Sequence, residues 1–314
     1  MTRLYLLLIG LLGLRLVAGC HPEPRAPAAR HEPIIDVHMH AYPPTAALPE
    51  TVDPITHKPT GLTNGEDHLR ATLAVMNRLN VVTAVVSAGD GDRLAVVEHW
   101  RQAAPDRFIA GAGIRGSTEI PLPTVDTLRA GFREGKLRVL GEVTAEYAGL
   151  TLSDPIYEPY LALAEELDVP ISLHTGIGPP GISFDPCCRE FRVRLGNPLL
   201  IEDALTRHPK LRVNLMHAGW PYLADTVALM MVYPQVYVDL GAIDWLAPRA
   251  EFYAYLGALM RAGMGKRVMF GSDDMYWPEA IGMAVEAIDA APFLTPDDRH
   301  DIFFANAKRF FRIP

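Results

Sequence analysis

A chain of 314 residues with 49% hydrophobic content can bury a large core, and one sizeable enzyme-like domain is its default reading. A formal net charge of only −8 leaves no basic excess, which argues against a nucleic-acid partner.

Met1 to Arg3 precede an apolar run from Leu4 to about Val17, too short to span a bilayer comfortably and interrupted by Arg15. This pattern predicts an export signal over residues 1–19. Its end, Leu16-Val17-Ala18-Gly19-Cys20, resembles a bacterial lipobox, in which the cysteine is lipidated and becomes the mature amino terminus. Arg15 departs from a clean signal, so simple cleavage and an uncleaved anchor stay open. The Pro/Ala/Arg stretch 21–30 reads as a tether, so residues 20–32 are expected to be a lipidated linker. The expectation is an exported lipoprotein of the cell envelope, facing the periplasm and held to a membrane.

Residues 33–314 are expected to form one domain. From Ile34 onward short β-branched runs alternate with amphipathic stretches, the pattern of repeated βα units. The strands fall at Ile34–Met39, Val81–Ser87, Phe108–Ile114, Val139–Val143, Ile171–His174, Val213–His217, Val236–Leu240 and Val268–Gly271. That number matches a closed (β/α)8 TIM barrel. Helices are predicted at about 66–79, 92–103, 123–134, 155–168, 198–207, 221–232, 250–262 and 278–290, with a ninth at about 296–310 packing outside. Asp154-Pro155, Asn197-Pro198 and Thr295-Pro296 each place a capping side chain before a proline at the first helical position. Two long connections, Ala41–Gly65 and Thr175–Gly196, follow strand carboxyl ends, where barrel active sites are built.

Asp36-Val37-His38-Met39-His40 ends the first strand. Residues two apart share a face, so His38 and His40 project together about 6.6 Å apart along the chain. Glu142, His174, His217 and Asp273 stand at the ends of the fourth, fifth, sixth and eighth strands, all residue types that bind zinc-like metals. Barrel closure sets Asp273 beside His38 and His40, with Glu142, His174 and His217 as the other half. Glu142 would bridge two cations or only hydrogen-bond a ligand.

With Pro170-Ile171-Ser172-Leu173-His174, His217-Ala218-Gly219-Trp220-Pro221, Phe270-Gly271-Ser272-Asp273 and Asn306-Ala307-Lys308-Arg309-Phe310 added to the opening motif, the chain resembles the amidohydrolase superfamily, in its amidohydrolase-related branch. The resemblance covers Ile34 to Phe311. It implies that the histidines and the final aspartate bind metal and that Asp273 also shuttles a proton. Where many two-metal members carry a carbamylated lysine, this chain has Glu142; mononuclear relatives use the strand-six histidine, here His217, in catalysis instead. One or two divalent metals are expected, Zn2+ first, with Mn2+ or Fe2+ as alternatives.

The reaction expected is hydrolysis of a small-molecule ester, lactone, amide or related bond, with Asp273 as general base and acid. The alternatives are decarboxylation of an aromatic or unsaturated acid, and a metal-binding lipoprotein without turnover. Arg189, with Arg192 and Arg194, is a candidate for holding a substrate carboxylate, and Trp220, Tyr222, Tyr147, Tyr276 and Trp277 are candidates for walling a pocket. Asp274 is expected to support the site from behind, His208 to cap a helix, and His68, His99 and His300 to lie at the surface. Cys187 and Cys188 are open between a vicinal disulfide and two thiols; a homo-oligomer is equally open.

Overall fold

The computed structural model describes residues 32–48, 52, 57–89, 92–117 and 120–314; the predicted signal, Cys20 and residues 21–30 of the tether lie outside them. Eight strands form: β1 (Ile34–Ala41), β2 (Val81–Ala88), β3 (Phe108–Ile114), β4 (Val139–Val143), β5 (Ile171–Leu173), β6 (Val213–Leu215), β7 (Val236–Asp239) and β8 (Val268–Met269). Each pairs in parallel with the next in chain order. Between β8 and β1 two backbone bonds close the ring: Val37 N–H donates to Phe270 O at 3.0 Å and Asp273 N–H to His38 O at 2.7 Å. The architecture is that of a (β/α)8 barrel, and among the described residues no helix is long and apolar enough to cross a membrane.

Outside the sheet run α1 (Gly65–Leu79), α2 (Arg93–Ala103), α3 (Val125–Arg133), α4 (Glu158–Glu166), α5 (Glu202–Arg207), α6 (Leu223–Val232), α7 (Ile243–Leu246), α8 (Arg249–Arg261), α9 (Ala280–Asp289), α10 (Pro296–His300) and α11 (Asn306–Phe311). Thr295 closes a capping box with Asp298, and Asn197 caps through Leu199 N–H, both as expected. Asp154 does not cap. Its Oδ2 accepts from Thr151 N–H and Oγ1–H at 2.6 and 2.8 Å, so the carboxylate closes the turn before it instead. Helix α7 has no counterpart in the periodicity.

The predicted ninth helix departs most. It divides into α10, a π-turn at Asp301–Ala305 and α11, because the carbonyl of Ile302 accepts from Phe270 N–H of the barrel at 2.8 Å. Its end does not pack outside. Phe310, Phe311 and Ala307 join Ile35, Val37, Val85, Ile109, Val139 and Met269 in one buried cluster. Side chains from β1, β2, β3, β4 and β8 meet only in the barrel interior, so α11 plugs the amino-terminal mouth of the barrel. Arg212 from the start of β6 donates to Phe310 O, and Arg312 pairs with Asp168 before β5. A second, larger core fills the space between strands and helices, with Trp100, Tyr157 and Phe252 buried in it.

Two histidines are placed differently from expectation. His208 does cover the end of α5, yet its ring bridges Glu165 at 3.1 Å and Glu158 at 2.9 Å rather than facing carbonyls. His68 is fully buried, its ring 5.0 Å from Tyr42 and 5.7 Å from Trp100. Its place on the inner face of α1 explains the burial.

Burial holds His68 down to about 4, against an ordinary 6.5. An imidazole with a depressed value is protonated in the unfolded chain first, so stability falls as pH drops from 6.5 towards 4, and the loss then levels off. His68→Gln should remove up to about 3 kcal/mol of that decline. Urea unfolding of both proteins at pH 7.5, 5.5 and 4.5 checks this; parallel curves would show that His68 carries no such linkage.

Candidate metal centre

The first strand carries an extra residue relative to β2, its register slipping between Asp36 and Met39. Val37 belongs to the interior cluster and His38 to the site above it, a sharing of one face that adjacent residues of a regular strand do not show. The bulge therefore turns both imidazoles inward at the carboxyl-terminal mouth. Gly241 and Gly271 leave room for the His38 side chain: a Cβ on either would come within 2.7 or 2.8 Å of it.

Asp239, at the end of β7, holds several parts together. Its Oδ1 lies 3.4 Å from His38 Nδ1 and accepts from the backbone N–H of His217 at 3.2 Å and Gly241 at 3.0 Å, while Oδ2 accepts from Asn214 Nδ2 at 2.7 Å. His217 and Ala218 follow β6 with φ of 59° and 51°, a left-handed turn that costs roughly 1–3 kcal/mol per residue and must be held by its surroundings. His217 Nδ1 donates to Gly241 O at 2.8 Å, which leaves Nε2 as a lone pair aimed at the site.

Six side chains converge: His38, His40 and Glu142 form one cluster of donor atoms within 4.8 Å of each other, His38, His217 and Asp273 a second, and Glu142, His174 and His217 a third. Asp273 Oδ1 lies 2.8 Å from His40 Nε2 and 3.4 Å from His38 Nε2, so the seam brings together what closure predicted. All six are buried except His40, which is partly so. His38 Nε2 and Asp273 Oδ1 are buried without a hydrogen-bond partner. Ring nitrogens and carboxylate oxygens turned towards each other in a buried pocket are the arrangement that a divalent cation satisfies, so the donor set fits the metal that its chemistry implies.

Charge follows the same logic. Burial works against the Asp273 and Glu142 carboxylates, but the facing imidazoles outweigh it and hold both below their ordinary values. Burial and then the neighbouring His174 push His217 down to about 4, keeping it neutral. Behind the donors sit three more acids. Burial raises Asp36 to about 7, burial and then Asp36 raise Asp274 to about 8, and burial keeps Asp244 well above the carboxylate range. Asp274 accepts from His40 N–H at 3.4 Å and from Thr72 at 3.5 Å, the supporting place expected of it.

Several functional groups escaped the sequence reading. Glu146, in a short turn beyond β4, pairs with His174 Nδ1 and leaves Nε2 facing the donors. Asp239 carried the same strand-end signal as the others and was legible in principle. Of the pocket candidates, Tyr147 meets His174 edge-on at 5.2 Å, and Phe191 packs against it at 5.1 Å. Tyr222 instead ties two loops by donating to Val193 O at 2.9 Å, and Trp220 packs on the core. Tyr276 stacks on Tyr42, and Trp277 meets Trp245. Arg189, Arg192 and Arg194 are exposed, and Arg192 turns back to carbonyls of its own loop. Cys187 and Cys188 form a vicinal disulfide.

Glu146→Gln should weaken metal binding or activity about 10- to 100-fold, because the ring of His174 loses the carboxylate that orients it. Competition with a chelator, alongside thermal unfolding of the metal-free protein, separates this from general destabilisation. Unaltered metal affinity would remove Glu146 from that role.

Comparison with known proteins agrees with this architecture. A family model described as Amidohydrolase matches residues 35–313. Protein fluG of Emericella nidulans is 26% identical over 115 residues, which cover 37% of this chain and only 12% of that protein. A probable 2-pyrone-4,6-dicarboxylic acid hydrolase from Acinetobacter baumannii, solved with citric acid bound, is 15% identical with a TM-score of 0.63, covering 90% of this chain and 100% of that one. A 5-carboxyvanillate decarboxylase from Novosphingobium aromaticivorans, solved with bound manganese, is 16% identical with a TM-score of 0.58, covering 77% of this chain and 80% of that one. At such identities the structural likenesses establish the fold alone. The family match, spanning nearly the whole described barrel, establishes that the chain belongs to the amidohydrolase family.

Proposed function

We propose that the protein is a metal-dependent hydrolase of a small ester, lactone, amide or related bond. The observation that carries this reading is the buried, ionised Asp273 carboxylate at the meeting point of the imidazoles, 2.8 Å from His40 Nε2 and 3.4 Å from His38 Nε2. His38, His40 and Asp273 would hold one cation, and His174 and His217 a second. Glu142 belongs to donor clusters on both sides, which supports a bridging role for it. When bound, such cations lower the pKa of water and polarise a carbonyl.

The residues supply the rest. Asp273 accepts a proton from the attacking water and returns it to the leaving group, a role that suits a carboxylate held ionised at neutral pH. Neutral His217, locked by Gly241 O, presents Nε2 without competing for that proton. Tyr147 and Phe191 wall the side of the site nearest His174 and limit the access of bulk water. Decarboxylation is the second reading, favoured by the likeness to the manganese-containing decarboxylase and by a His217 poised in the pocket.

Protein purified from Pro33 onward and loaded with zinc or manganese should bind one or two equivalents and turn over members of a panel of lactones, aryl esters and amides. Asp273→Asn should lower kcat by about 100-fold or more, the range for a lost proton-transfer group, with the fold intact. Carbon dioxide release from aromatic acids in place of hydrolysis would decide for the second reading, and absence of any bound metal would defeat both. Glu142→Gln should remove one metal equivalent. Unchanged stoichiometry would leave Glu142 as a hydrogen-bonding neighbour rather than a bridge.

A further inference from the structure

Arg115 is the first residue after β3, on the same face of the barrel as the donor cluster. Its backbone is fixed by the buried Tyr157, whose hydroxyl donates to Arg115 O. Its half-buried guanidinium reaches across β4: Nε donates to Thr144 Oγ1 at 3.2 Å, and the group lies 5.1 Å from the centre of the Tyr147 ring. One Nη1 proton is directed at Cys188 Sγ, 3.7 Å away, and a disulfide sulfur is a weak acceptor.

Among the described residues three of its five N–H donors are thus without an acceptor, and no carboxylate pairs with it. The Tyr147 hydroxyl likewise has no hydrogen-bond partner among the described residues, while its ring edge touches His174. A guanidinium fork and a phenol stand side by side, one ring away from the donors. Around them the site is acidic, with Glu142, Glu146 and Asp273 all buried. A substrate carboxylate lying away from the metal donors needs a cation of its own, and the exposed loop arginines are not placed to supply one.

We propose that Arg115, assisted by the Tyr147 hydroxyl, binds a carboxylate that the substrate carries apart from its reacting bond, making the preferred substrate class carboxylic acids. Arg115 is then the specificity-determining residue. The guanidinium matches a carboxylate through two parallel hydrogen bonds, and its place over the Tyr147 ring keeps the fork oriented without a counter-ion among the described residues. The identity of the reacting bond rests on the hydrolase reading; the anion subsite itself does not.

The test therefore begins with binding. Calorimetry on the metal-loaded protein compares benzoate with benzamide, which has the same frame and no charge. The wild-type protein should prefer benzoate, Arg115→Gln should weaken benzoate about 10- to 100-fold with benzamide unchanged, and Arg115→Lys should fall between. Equal weakening of both probes would mean that Arg115 only braces the loops, and unchanged benzoate affinity would mean that the anion binds at the metals; either overturns the proposal. So does a wild-type protein with no preference. If Arg115→Gln fails to fold, the same comparison in Arg115→Lys decides. Hydrolysis of 4-acetoxybenzoate and of its methyl ester adds a kinetic arm, in which Arg115→Gln should raise KM for the acid alone. Absence of turnover on both esters, with benzoate selectivity intact, would fault the hydrolase reading and leave the subsite standing.

Discussion

The carboxylate of Asp239 is the group on which the geometry of the site depends. From the end of β7 it receives Asn214 of β6, the backbone N–H groups of His217 and Gly241, and the Nδ1 side of His38. One buried anion therefore sets the orientation of the first-strand imidazole and pins the left-handed turn that aims His217. Each donor it satisfies would otherwise cost about 1–3 kcal/mol unpaired in the interior. Two of the candidate metal donors, His38 and His217, are consequently oriented by the fold itself.

The interior is graded in charge around that anchor. Near the barrel axis Glu142 and Asp273 stay ionised because imidazoles face them. A step behind, Asp36, Asp244 and Asp274 sit against one another in a fully buried setting that favours their neutral forms. Asp36 accepts from the backbone N–H of His38 and Ser272, and Asp274 from that of His40, so these two brace β1 and the end of β8 without adding charge that a cation would have to offset.

Much of this was legible in the sequence. The eight strands could be read because a parallel barrel buries both strand faces, leaving apolar runs that periodicity detects. The donors could be read because a polar residue that ends an apolar run has few reasons to be there. Glu146 was invisible for the opposite reason: it lies in a single turn with no repeating pattern, and only the folded position of His174 gives it a partner. Arg115 is similar, since its surroundings come from three different strand ends. Residues 296–311 read as one continuous helix because nothing local announces that the Ile302 carbonyl belongs to Phe270 of the barrel.

The plug formed by Phe310 and Phe311 bears on the order in which the chain folds. The barrel interior is lined from β1 onward, yet its lower layer is complete only when the last helical turn arrives, about 275 residues after Ile35. Contacts this distant in sequence form late and slowly. A chain emerging from its amino terminus would hold an open sheet with a wet, apolar floor until its final residues are free. Closure at the bottom awaits α11 and the seam that brings Asp273 to His38 awaits β8, so a chain cut before β8 lacks a sealed barrel and an assembled site alike.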